Sequence, residues 1–370
     1  MRFPEFTEEW KAEQLDNIAT LSKGIGISKE QLSEDGEPCI LYGELYTKYK
    51  SEIIKQVESK TDINGSKLKR SKANDVIIPC SCETAVDIAT ARCVPFDNIL
   101  FGGDLNVISL HQYDGAFMSY QLNGKRKYDI ARVAQGVSIV HLYGEHLKAI
   151  KTYNPTLPEQ QKIAKLLSLL DDRIDTQNKI IEDLKKLKSA ISERLFKGIE
   201  GSFVLLSDIC DIVKGKQING ENLSESGNYY VMNGGTEPSG YYGDYNVDAN
   251  AISISEGGNS CGYVQFNTSP FWSGGHCYSI QNIADNVNNL YLYHYLKSNE
   301  DVIMKLRIGS GLPNIQKKDL AMFKIKVPAI EQQITISTFL SSLERKAEIE
   351  ERIQNAMLKE KQYLLHQMFI

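Results

Sequence analysis

Two glycine–lysine segments are the residues of this sequence that come nearest to a nucleotide-binding loop: Gly124-Lys125-Arg126 and Gly215-Lys216-Gln217. A phosphate-binding loop needs Gly-x-x-x-x-Gly-Lys followed by Ser or Thr, because backbone amides, the lysine and the hydroxyl hold the phosphates and Mg²⁺ together. The dinucleotide fingerprint Gly-x-Gly-x-x-Gly is also incomplete, since Lys29 stands where the third glycine after Gly24-Ile25-Gly26 belongs. The sequence therefore predicts no chemistry driven by a bound nucleotide.

Other reactive residues lack the spacing of a catalytic or metal site. The nearest approach to an adenine-methyltransferase motif is Asn154-Pro155-Thr156-Leu157, which lacks the second proline and the aromatic residue. His141 and His146 stand five residues apart, which does not place two imidazoles on one helical face. Cys80-Ser81-Cys82 has no second cysteine pair at zinc-ribbon spacing. Asp171-Asp172 is interpreted as a solvated pair on a helix, so we expect a binding protein rather than an enzyme.

Basic and amide-bearing residues in turn-rich segments are the candidates for contact with a nucleic acid. Lysine and arginine neutralise phosphates, and asparagine can pair with the edge of adenine. For each segment taken alone, a solvated charged loop or ordinary turn chemistry is the alternative interpretation. The candidate residues are Lys67, Lys69, Arg70, Lys72, Lys125, Arg126, Lys127, Lys214, Lys216, Asn233, Asn259, Asn314 and Lys317.

The composition limits the class of protein to which these residues belong. The chain has 370 residues with 42 Lys and Arg against 47 Asp and Glu, a net charge of −5. This balance excludes a strongly cationic nucleic-acid coat protein but not a DNA reader with local basic patches. The seven cysteines are an odd number and favour reduced thiols. No signal peptide and no run of about 18 apolar residues is found, so we expect a cytoplasmic chain without membrane association.

The elements that position the candidate residues occur twice, because the chain is an internal repeat. The matching segments keep the same order, and their offset in the numbering falls from 191 to 172. They are Leu15-Asp16-Asn17-Ile18 with Leu206-Ser207-Asp208-Ile209, Lys23-Gly24 with Lys214-Gly215, Gly102-Gly103 with Gly274-Gly275, and Pro155 and Glu159-Gln160-Gln161 with Pro328 and Glu331-Gln332-Gln333. We therefore predict two mixed α/β modules, with strands at 75–79 and 251–255, each followed by a helical segment.

A heptad periodicity follows each module and predicts a long helix. Apolar residues alternate at 4–3 spacing from Pro158 to about Phe196, and the pattern returns after the second module at an offset of 173. One module cannot cover so long a helix, so the two helices are predicted to pack on each other. The alternative is that each amphipathic helix packs only on its own module. The predicted seam residues are Ile163, Leu167, Leu170, Ile174, Ile181, Leu184, Ile191, Leu340, Leu343, Met357 and Leu364.

This arrangement resembles the specificity (S) subunit of type I restriction–modification systems. Three local segments carry the resemblance, together with the two-copy layout and the N-terminal Arg2-Phe3-Pro4-Glu5-Phe6 and Trp10. The segments are Pro155–Ala164 with Leu170-Asp171, Gly309–Ile315 followed by Val327–Gln333, and Leu364–Phe369. The second copy departs from the pattern because Ile330 replaces the proline before its Glu331.

The resemblance implies an α+β protein: two pseudo-repeated α/β target-recognition domains joined by two long helices forming an antiparallel coiled coil. The implied segments are residues 1–157 for the first recognition domain, 158–198 for the first spacer helix, 201–330 for the second domain and 331–370 for the second helix. Each domain would read one half of a bipartite site in double-stranded DNA. The helix pair would set the spacing of the half-sites and dock modification (M) subunits.

The resemblance also implies where the chemistry resides. Methyl transfer and ATP-driven cleavage belong to the M and restriction (R) subunits in this family. We therefore expect no cofactor in this subunit, with S-adenosylmethionine, ATP and Mg²⁺ in the partners. Two M subunits are the expected partners, with an R subunit as a further candidate and no membrane. The alternatives are a coiled-coil assembly protein without DNA function, a single-chain modification or nuclease enzyme, and an S-like subunit of a methylation-only system.

Overall fold

The structure is a computed structural model that describes residues 2–64, 67–309, 311 and 313–369. Its contacts divide the chain into two compact units. The first unit comprises residues 1–178 with 352–370, and the second comprises residues 179–351. Within the Gly309–Ile315 segment, Ser310 and Leu312 lie outside the described residues.

Within its described residues, the first unit is built from short strands and short α-helices. Its strands are β1 (Lys11–Gln14), β2 (Ala19–Lys23), β3 (Leu32–Ser33), β4 (Glu37–Ile40), β5 (Lys60–Thr61), β6 (Lys69–Arg70), β7 (Asp75–Pro79), β8 (Ser81–Cys82), β9 (Arg92–Val94), β10 (Leu100–Phe101), β11 (Leu105–Leu110), β12 (Val140–His141) and β13 (Lys151–Asn154). Its short helices are α1 (Leu15–Ile18), α2 (Glu44–Thr47), α3 (Ala85–Ile88), α4 (Gly115–Asn123), α5 (Lys127–Val133) and α6 (Gly144–Lys148).

The first long helix, α7 (Leu157–Gly198), precedes the elements of the second unit. The strands there are β14 (Ser202–Leu205), β15 (Asp211–Lys214), β16 (Tyr229–Met232), β17 (Tyr241–Tyr242), β18 (Ala251–Ser255), β19 (Val264–Asn267), β20 (Trp272–Ser273), β21 (Cys277–Gln281) and β22 (Lys324–Val327). The helices are α8 (Leu206–Ile209), α9 (Asn289–Ser298), α10 (Glu300–Met304) and α11 (Lys317–Ala321), followed by the second long helix, α12 (Ile330–Gln367).

Each unit is organised around a four-stranded antiparallel sheet, in the order β2-β11-β7-β9 in the first unit and β15-β21-β18-β19 in the second. The predicted strands at 75–79 and 251–255 are confirmed as β7 and β18. Both are almost wholly buried, and β7 carries the apolar run Val76-Ile77-Ile78 while β18 alternates Ile with Ser, two patterns that predict a strand. A second sheet accompanies each, with order β3-β5-β4-β10-β6 and β17-β16-β20 respectively.

The two long helices run antiparallel in each unit. In the first unit, Ile163 and Leu167 of α7 share an apolar cluster with Met368 and Phe369 at the end of the chain. In the second unit, Phe196 near the end of α7 shares a cluster with Ile336 and Leu340, near the start of α12. The early part of one helix therefore packs with the late part of the other, as the predicted antiparallel pairing requires.

The residues of the predicted seam form the less exposed face of both helices. None of them is exposed. The buried ones are Ile163, Leu167, Ile174, Ile181, Leu340 and Met357, and the half-buried ones are Leu170, Leu184, Ile191, Leu343 and Leu364. The outcome agrees with the 4–3 spacing, because positions at this spacing lie on one side of a helix.

A glutamine near the start of each long helix, Gln160 and Gln333, makes the same contacts in both units, and these contacts correct the alignment of the repeats. Gln160 donates to the carbonyl of Pro155 and accepts from the amide of Asp114, the N-cap of α4. Gln333 donates to the carbonyl of Pro328 and accepts from the amide of Asn288, the N-cap of α9. Gln333 is thus the equivalent of Gln160, and the match of Glu-Gln-Gln letter by letter between the two copies is wrong by one residue.

The interpretation of Asp171-Asp172 as a solvated pair is wrong for its first member. Asp172 is exposed and pairs with Lys55 at 2.8 Å. Asp171 is only 4% exposed and is bound by the hydroxyl of Tyr120 and the ammonium of Lys361. The sequence around Asp171 does not reveal its partner, because Lys361 lies in the other long helix, far along the sequence.

Candidate nucleic-acid interface

One end of the main sheet of the second unit gathers three polar residues from three neighbouring strands. β15 ends at Lys214, β18 ends just before Glu256, and β21 begins just after His276. The register pairs Lys214 with Tyr278 and Ser255 with Cys277. In antiparallel strands, the end of one strand lies beside the start of the next, so these side chains share one edge of the sheet.

Glu256 is the centre of this edge. Its side chain is only 10% exposed, and its Oε1 lies 2.6 Å from Lys214 Nζ and accepts from the Tyr278 hydroxyl at 3.0 Å. Burial, and then the hydrogen bond to Glu256, raises the pKa of Tyr278, which therefore stays a protonated donor. His276 Nδ1 lies 4.0 Å from the other oxygen. The buried carboxylate therefore holds Lys214 in place, beside an imidazole that is 63% exposed.

Further candidate residues of the second unit lie in the loops around Glu256. Asn233 accepts from the amide of His276 at 3.1 Å. Asn314 pairs with Gly257 in an isolated bridge, and Lys216 donates its amide to Ser273 at 2.8 Å. The remaining two follow the same connections: Asn259 lies three residues after Glu256, and Lys317 begins α11 two residues after Ile315, whose amide binds the Glu256 carbonyl.

Lysine side chains and amide groups of this kind match the chemistry of DNA recognition. Lysine donates to phosphates or to guanine, and the asparagine amide can both donate to and accept from adenine. Lys214, Lys216, Asn259, Asn314 and Lys317 are exposed. The edge therefore offers several positive charges and amides, while its one buried carboxylate is partnered by Lys214.

The corresponding edge of the first unit is built from the equivalent strands, β2 and β11. β2 ends at Lys23, whose register partner in β11 is Asn106. Lys23 is exposed, and its ammonium lies 5.7 Å from the centre of the Tyr143 ring. The ring of Tyr143 in turn stacks on His141 with ring centres 6.2 Å apart. Lys23 and two exposed aromatic rings therefore occupy the place that Lys214 and His276 occupy in the second unit.

A close approach of two glycines supports this edge in both units. A Cβ atom on Gly24 would lie 1.9 Å from the carbonyl oxygen of Gly102, and one on Gly215 would lie 2.1 Å from that of Gly274. Any side chain would clash with the backbone at these distances, so only glycine fits. The Lys-Gly and Gly-Gly repeats of the sequence are thus two sides of one backbone crossing, and they place a lysine at the same point of each unit.

The basic patch at 67–72 lies partly at this edge. Lys69 pairs in the β-ladder with Phe101, which adjoins Gly102, so β6 runs beside the glycine crossing. Lys67 and Lys72 are exposed, and Lys69 is half-buried. Arg70 is engaged differently, because both of its terminal nitrogens bind the carboxylate of Glu37, at 2.5 and 2.9 Å. Much of its charge is therefore already neutralised within the unit.

The second basic patch, Lys125, Arg126 and Lys127, lies elsewhere in the first unit. Arg126 lies over the ring of Tyr153 at 5.2 Å and pairs with Asp129 at 3.2 Å. Gly124 packs against the backbone of Leu365 near the end of α12. The structure therefore does not join this patch to the edge that carries Lys23, although the sequence alone gave both patches the same interpretation.

Three residues of the edge were missed among the sequence candidates: Lys23, Glu256 and His276. The repeat itself could have supplied Lys23, since Lys214 was a candidate and Lys23 is its counterpart in the first copy. Glu256 and His276 carry no such signal, because their importance depends on the register of β18 and β21. Among the described residues, no group of His, Cys, Asp and Glu side chains could hold a metal ion. In the same part of the chain, no helix is both long and apolar enough to cross a bilayer.

Comparison with known proteins follows the same twofold division. The model of the family described as type I restriction modification DNA specificity domain matches residues 7–186 and 200–359. A type I specificity subunit of Mycoplasma pneumoniae is 32% identical over 145 residues, which cover 39% of this chain and 38% of that protein. The MjaX type I restriction enzyme specificity subunit of Methanocaldococcus jannaschii is 26% identical over 253 residues, which cover 60% and 58%. The chain thus spans less than two thirds of the length of these relatives.

Solved structures show the same fold. The crystal structure of the S subunit of a type I restriction–modification system from M. genitalium has a TM-score of 0.70 at 19% identity, covering 100% of this chain and 97% of that one. A structure that describes complex assembly and conformational transition of the type I R-M system has a TM-score of 0.60 at 16% identity, covering 98% and 97%. Because the family model matches most of the sequence, once in each half, the chain belongs to the family of type I restriction modification DNA specificity domains.

Proposed function

We propose that this chain is the DNA sequence-recognition subunit of a type I restriction–modification complex. Each unit reads one half of a bipartite DNA site through the sheet edge described above. The observation that carries the proposal is the repeated edge itself. Lys23 and Lys214 are the last residues of equivalent strands, and each is followed by the glycine at which two backbone segments approach closely. A chain with one such edge in each half suits a DNA target with two separate halves.

The chain supplies discrimination rather than catalysis in this proposal. Methyl transfer and ATP-driven cleavage belong to partner M and R subunits, which bring S-adenosylmethionine, ATP and Mg²⁺, while this chain holds no cofactor. The net charge of −5 supports this division of labour. A subunit with more negative than positive side chains gains little from the phosphate backbone, so partners must supply much of that attraction. A complex of this kind works on cellular DNA, in the cytoplasm.

An apolar stripe on the outside of the long helices supports docking of the M subunits. Leu166 and Ile180 of α7 are 38% and 40% exposed, and their repeat equivalents in α12, Phe339 and Ile353, are 46% and 39% exposed. Each of these residues immediately precedes a seam position and is therefore turned about 100° from it, so the stripe flanks the seam and stays partly open to solvent. Exposed apolar stripes of this length are typical of surfaces that bind another protein. Two equivalent stripes support the docking of two M subunits.

Methylation mapping of a reconstituted complex tests the proposal against a coiled-coil assembly protein. The purified chain is mixed with its M subunits, and the methylated positions are mapped on random-sequence DNA. We expect methylation at one bipartite sequence, and no selective methylation by the M subunits without the chain. Complex formation without any sequence preference would instead support the assembly protein. The DNA of the source genome can then show whether an R subunit or methylation alone completes the system.

A further inference from the structure

A tyrosine, a carboxylate and a lysine meet between the long helices of the first unit. The hydroxyl of Tyr120 in α4 donates to Asp171 Oδ2 of α7 at 2.7 Å. Lys361 Nζ of α12 lies 2.7 Å from Asp171 Oδ1 and 2.5 Å from an oxygen of Glu52. The side chains of Lys361 and Asp171 are 14% and 5% exposed. This first triad therefore joins both long helices to the module beneath them.

The second unit contains the same triad. The hydroxyl of Tyr293 in α9 donates to Glu344 Oε1 of α12 at 2.9 Å, and Lys188 Nζ of α7 lies 2.7 Å from the same oxygen. The side chains of Lys188 and Glu344 are 20% and 30% exposed. Burial opposes the charge on Glu344, but Lys188 and then Tyr293 hold the pKa of this carboxyl below its ordinary value. Glu344 therefore stays charged beside its lysine at neutral pH.

The two triads are related by the internal repeat, with one exchange. Their tyrosines, Tyr120 and Tyr293, are equivalent at the helix offset of 173, and so are their carboxylates, Asp171 and Glu344. The lysines, Lys188 and Lys361, are equivalent at the same offset but lie in the opposite order. Each triad thus takes its tyrosine and carboxylate from one copy of the repeat and its lysine from the helix of the other copy.

A single antiparallel register accounts for both triads. The residue numbers of Asp171 with Lys361 and of Lys188 with Glu344 add to the same total, 532. Asn178 and Gln354, which are hydrogen-bonded, give the same total. The helices keep this register although their apolar seam does not demand it. A heptad seam still places apolar residues against apolar residues after a slip of seven positions, so polar seam residues must select among registers.

A slip of one heptad in either direction would leave Asp171, Lys361 and Glu344 without a charged residue opposite, while Lys188 would meet a new carboxylate, Glu351, in one of the two directions. In one direction, Asp171 would oppose Met368 and Glu344 would oppose Leu195. In the other direction, Lys361 would oppose Ala164 and Glu344 would oppose Ile181. A buried charge without a counter-charge is strongly unfavourable, whereas replacing a whole buried ion pair with apolar residues is often neutral or stabilising. Such pairs therefore discriminate between registers more than they add stability.

We infer that the two triads set the antiparallel register of α7 against α12, with Lys188 and Lys361 as positioning residues. The inference deepens the proposed function, since the register fixes where each half of a helix meets its partner. Tyr120 and Tyr293 also connect the register to the modules. Each tyrosine lies in a short helix of its module and donates to the carboxylate on the long helix that follows. Either triad alone suffices to exclude a slipped register, because a slip in either direction leaves the carboxylate of whichever triad remains without a lysine opposite.

Disulfide trapping in the full chain tests the inference. Cysteines at Asn178 and Gln354 report the native register, and cysteines at Asn178 and Ala347 report the slip that brings Glu344 opposite Ile181, in which no charge of either triad keeps a counter-charge opposite. In the apolar variant of the second triad, Tyr293→Phe, Lys188→Met and Glu344→Leu are combined. The apolar variant of the first triad combines Tyr120→Phe, Asp171→Leu, Lys361→Met and Glu52→Gln. The matched controls are the charge-exchanged chain Lys188→Glu with Glu344→Lys and the chains with one added cysteine.

We expect the native chain, the charge-exchanged chain and each single-triad variant to form only the disulfide between positions 178 and 354. The chain with both triads apolar should form both disulfides, with an unfolding temperature equal to or above that of the native chain. Retention of the single native disulfide in that folded chain would overturn the inference. A fall in the unfolding temperature with no second disulfide would also overturn it, since it would assign the triads to stability alone.

The same variants separate this inference from the proposed function. The disulfide pattern needs neither DNA nor partner subunits, so it judges the register by itself. Methylation mapping with the doubly apolar chain then reads the gap between the half-sites. If a second register forms but the gap is unchanged, the triads still set the register, and the helices do not set the spacing of the half-sites. A second register with several gaps would support both.

Discussion

At the scale of single residues, the proposed DNA recognition involves a lysine that the fold holds at an equivalent point of each unit. Lys214 is fixed by the buried Glu256, and Lys23 lies beside the ring of Tyr143. A side chain held in place loses less entropy when it binds than a freely moving one, which favours selective contact over general attraction. These two lysines are therefore the residues from which we expect the largest effects on DNA binding.

Replacing either lysine should impair one half of the DNA site. For Lys23→Ala and for Lys214→Ala we expect a loss of about 1–3 kcal/mol in binding by the complex, which is typical of one base contact. Competition with DNAs altered in one half-site measures which half has lost its discrimination. Lys29→Ala and Lys305→Ala, at exposed lysines outside the set of candidate residues, are the matched controls. Equal loss on all DNA sequences would identify a phosphate contact instead.

His294 should make the second unit sensitive to acid. This residue is 2% exposed and bonded to Ser341 at 2.9 Å, and burial lowers its pKa from 6.5 to about 4. The folded state therefore favours the neutral ring, so stability is complete above pH 6.5 and is lost as the pH falls toward 4. A shift of this size corresponds to about 3 kcal/mol across that range.

Urea unfolding between pH 4 and pH 8 measures this effect. In a Trp10→Phe background, Trp272 is the sole tryptophan and reports on the second unit. We expect His294→Gln to reduce the loss of stability on the acid side, since glutamine does not titrate. His366→Gln, at an exposed histidine, is the control and should leave the pH dependence unchanged. The same acid-side slope in His294→Gln and the parent would contradict the assignment.

Single residues were predictable from the sequence where the repeat exposed them, and not where distant contacts determine their role. Lys214 and its glycine were readable because Lys-Gly occurs twice at the same place in the repeat. Arg70 looked like a free basic residue, but Glu37, 33 positions earlier, binds it. Asp171 was expected to be solvated, but in the structure it is bound by Tyr120 and Lys361. Charge partners far apart in sequence leave no local pattern.

At the scale of elements, the long helices were the most predictable part of the chain. Their heptad spacing is sustained over many turns, so the periodic signal outweighs individual exceptions. β7 and β18 were readable for a similar reason, since each is a continuous run of buried residues. Two-residue strands such as β6 and β10 were not, because two residues carry no period. These short strands shape the recognition edge, so its details could not be predicted.

The outer stripe of the helices should be required for binding M subunits. Leu169 of α7 lies about one turn after Leu166, and Ile349 of α12 lies about one turn before Ile353, so both extend the stripe. They are 51% and 48% exposed. Leu169→Lys or Ile349→Lys places a charge in this stripe, which costs little in the free chain but opposes burial under a partner. We expect at least a tenfold weaker association with M, measured by titration calorimetry. Ser189→Lys, exposed and outside the stripe, should bind M normally. Unchanged binding by both stripe variants would exclude this surface.

Lengthening both helices together should lengthen the gap in the DNA target. Seven residues inserted after Leu184 and seven after Ala347 preserve the heptad phase and the pairing of both triads. The insertions add about 10 Å of helix at 1.5 Å per residue, or about three base pairs of B-DNA. Methylation mapping should find the same two half-sites with a wider gap. An insertion in one helix only is the control and should weaken folding. An unchanged gap would leave the helices as a docking surface only.

At the scale of the whole molecule, the chain carries two similar units, each with its own sheet edge. The family match in each half, the repeated sheet edge and the paired triads all divide the sequence in the same way. The two edges differ in their side chains: aromatic rings accompany Lys23, and His276 with several asparagines accompanies Lys214. Two similar scaffolds with different edges should recognise different sequences.

Exchange of one recognition domain measures whether the two units read DNA independently. Residues 201–330 are replaced with the corresponding domain of another type I specificity subunit of known target, and the complex with M subunits methylates random-sequence DNA. We predict that one half-site changes to that of the donor, while the other half-site and the gap stay as in the parent. A simultaneous change of both half-sites, in a complex that still folds and binds M, would contradict independent reading by the two units.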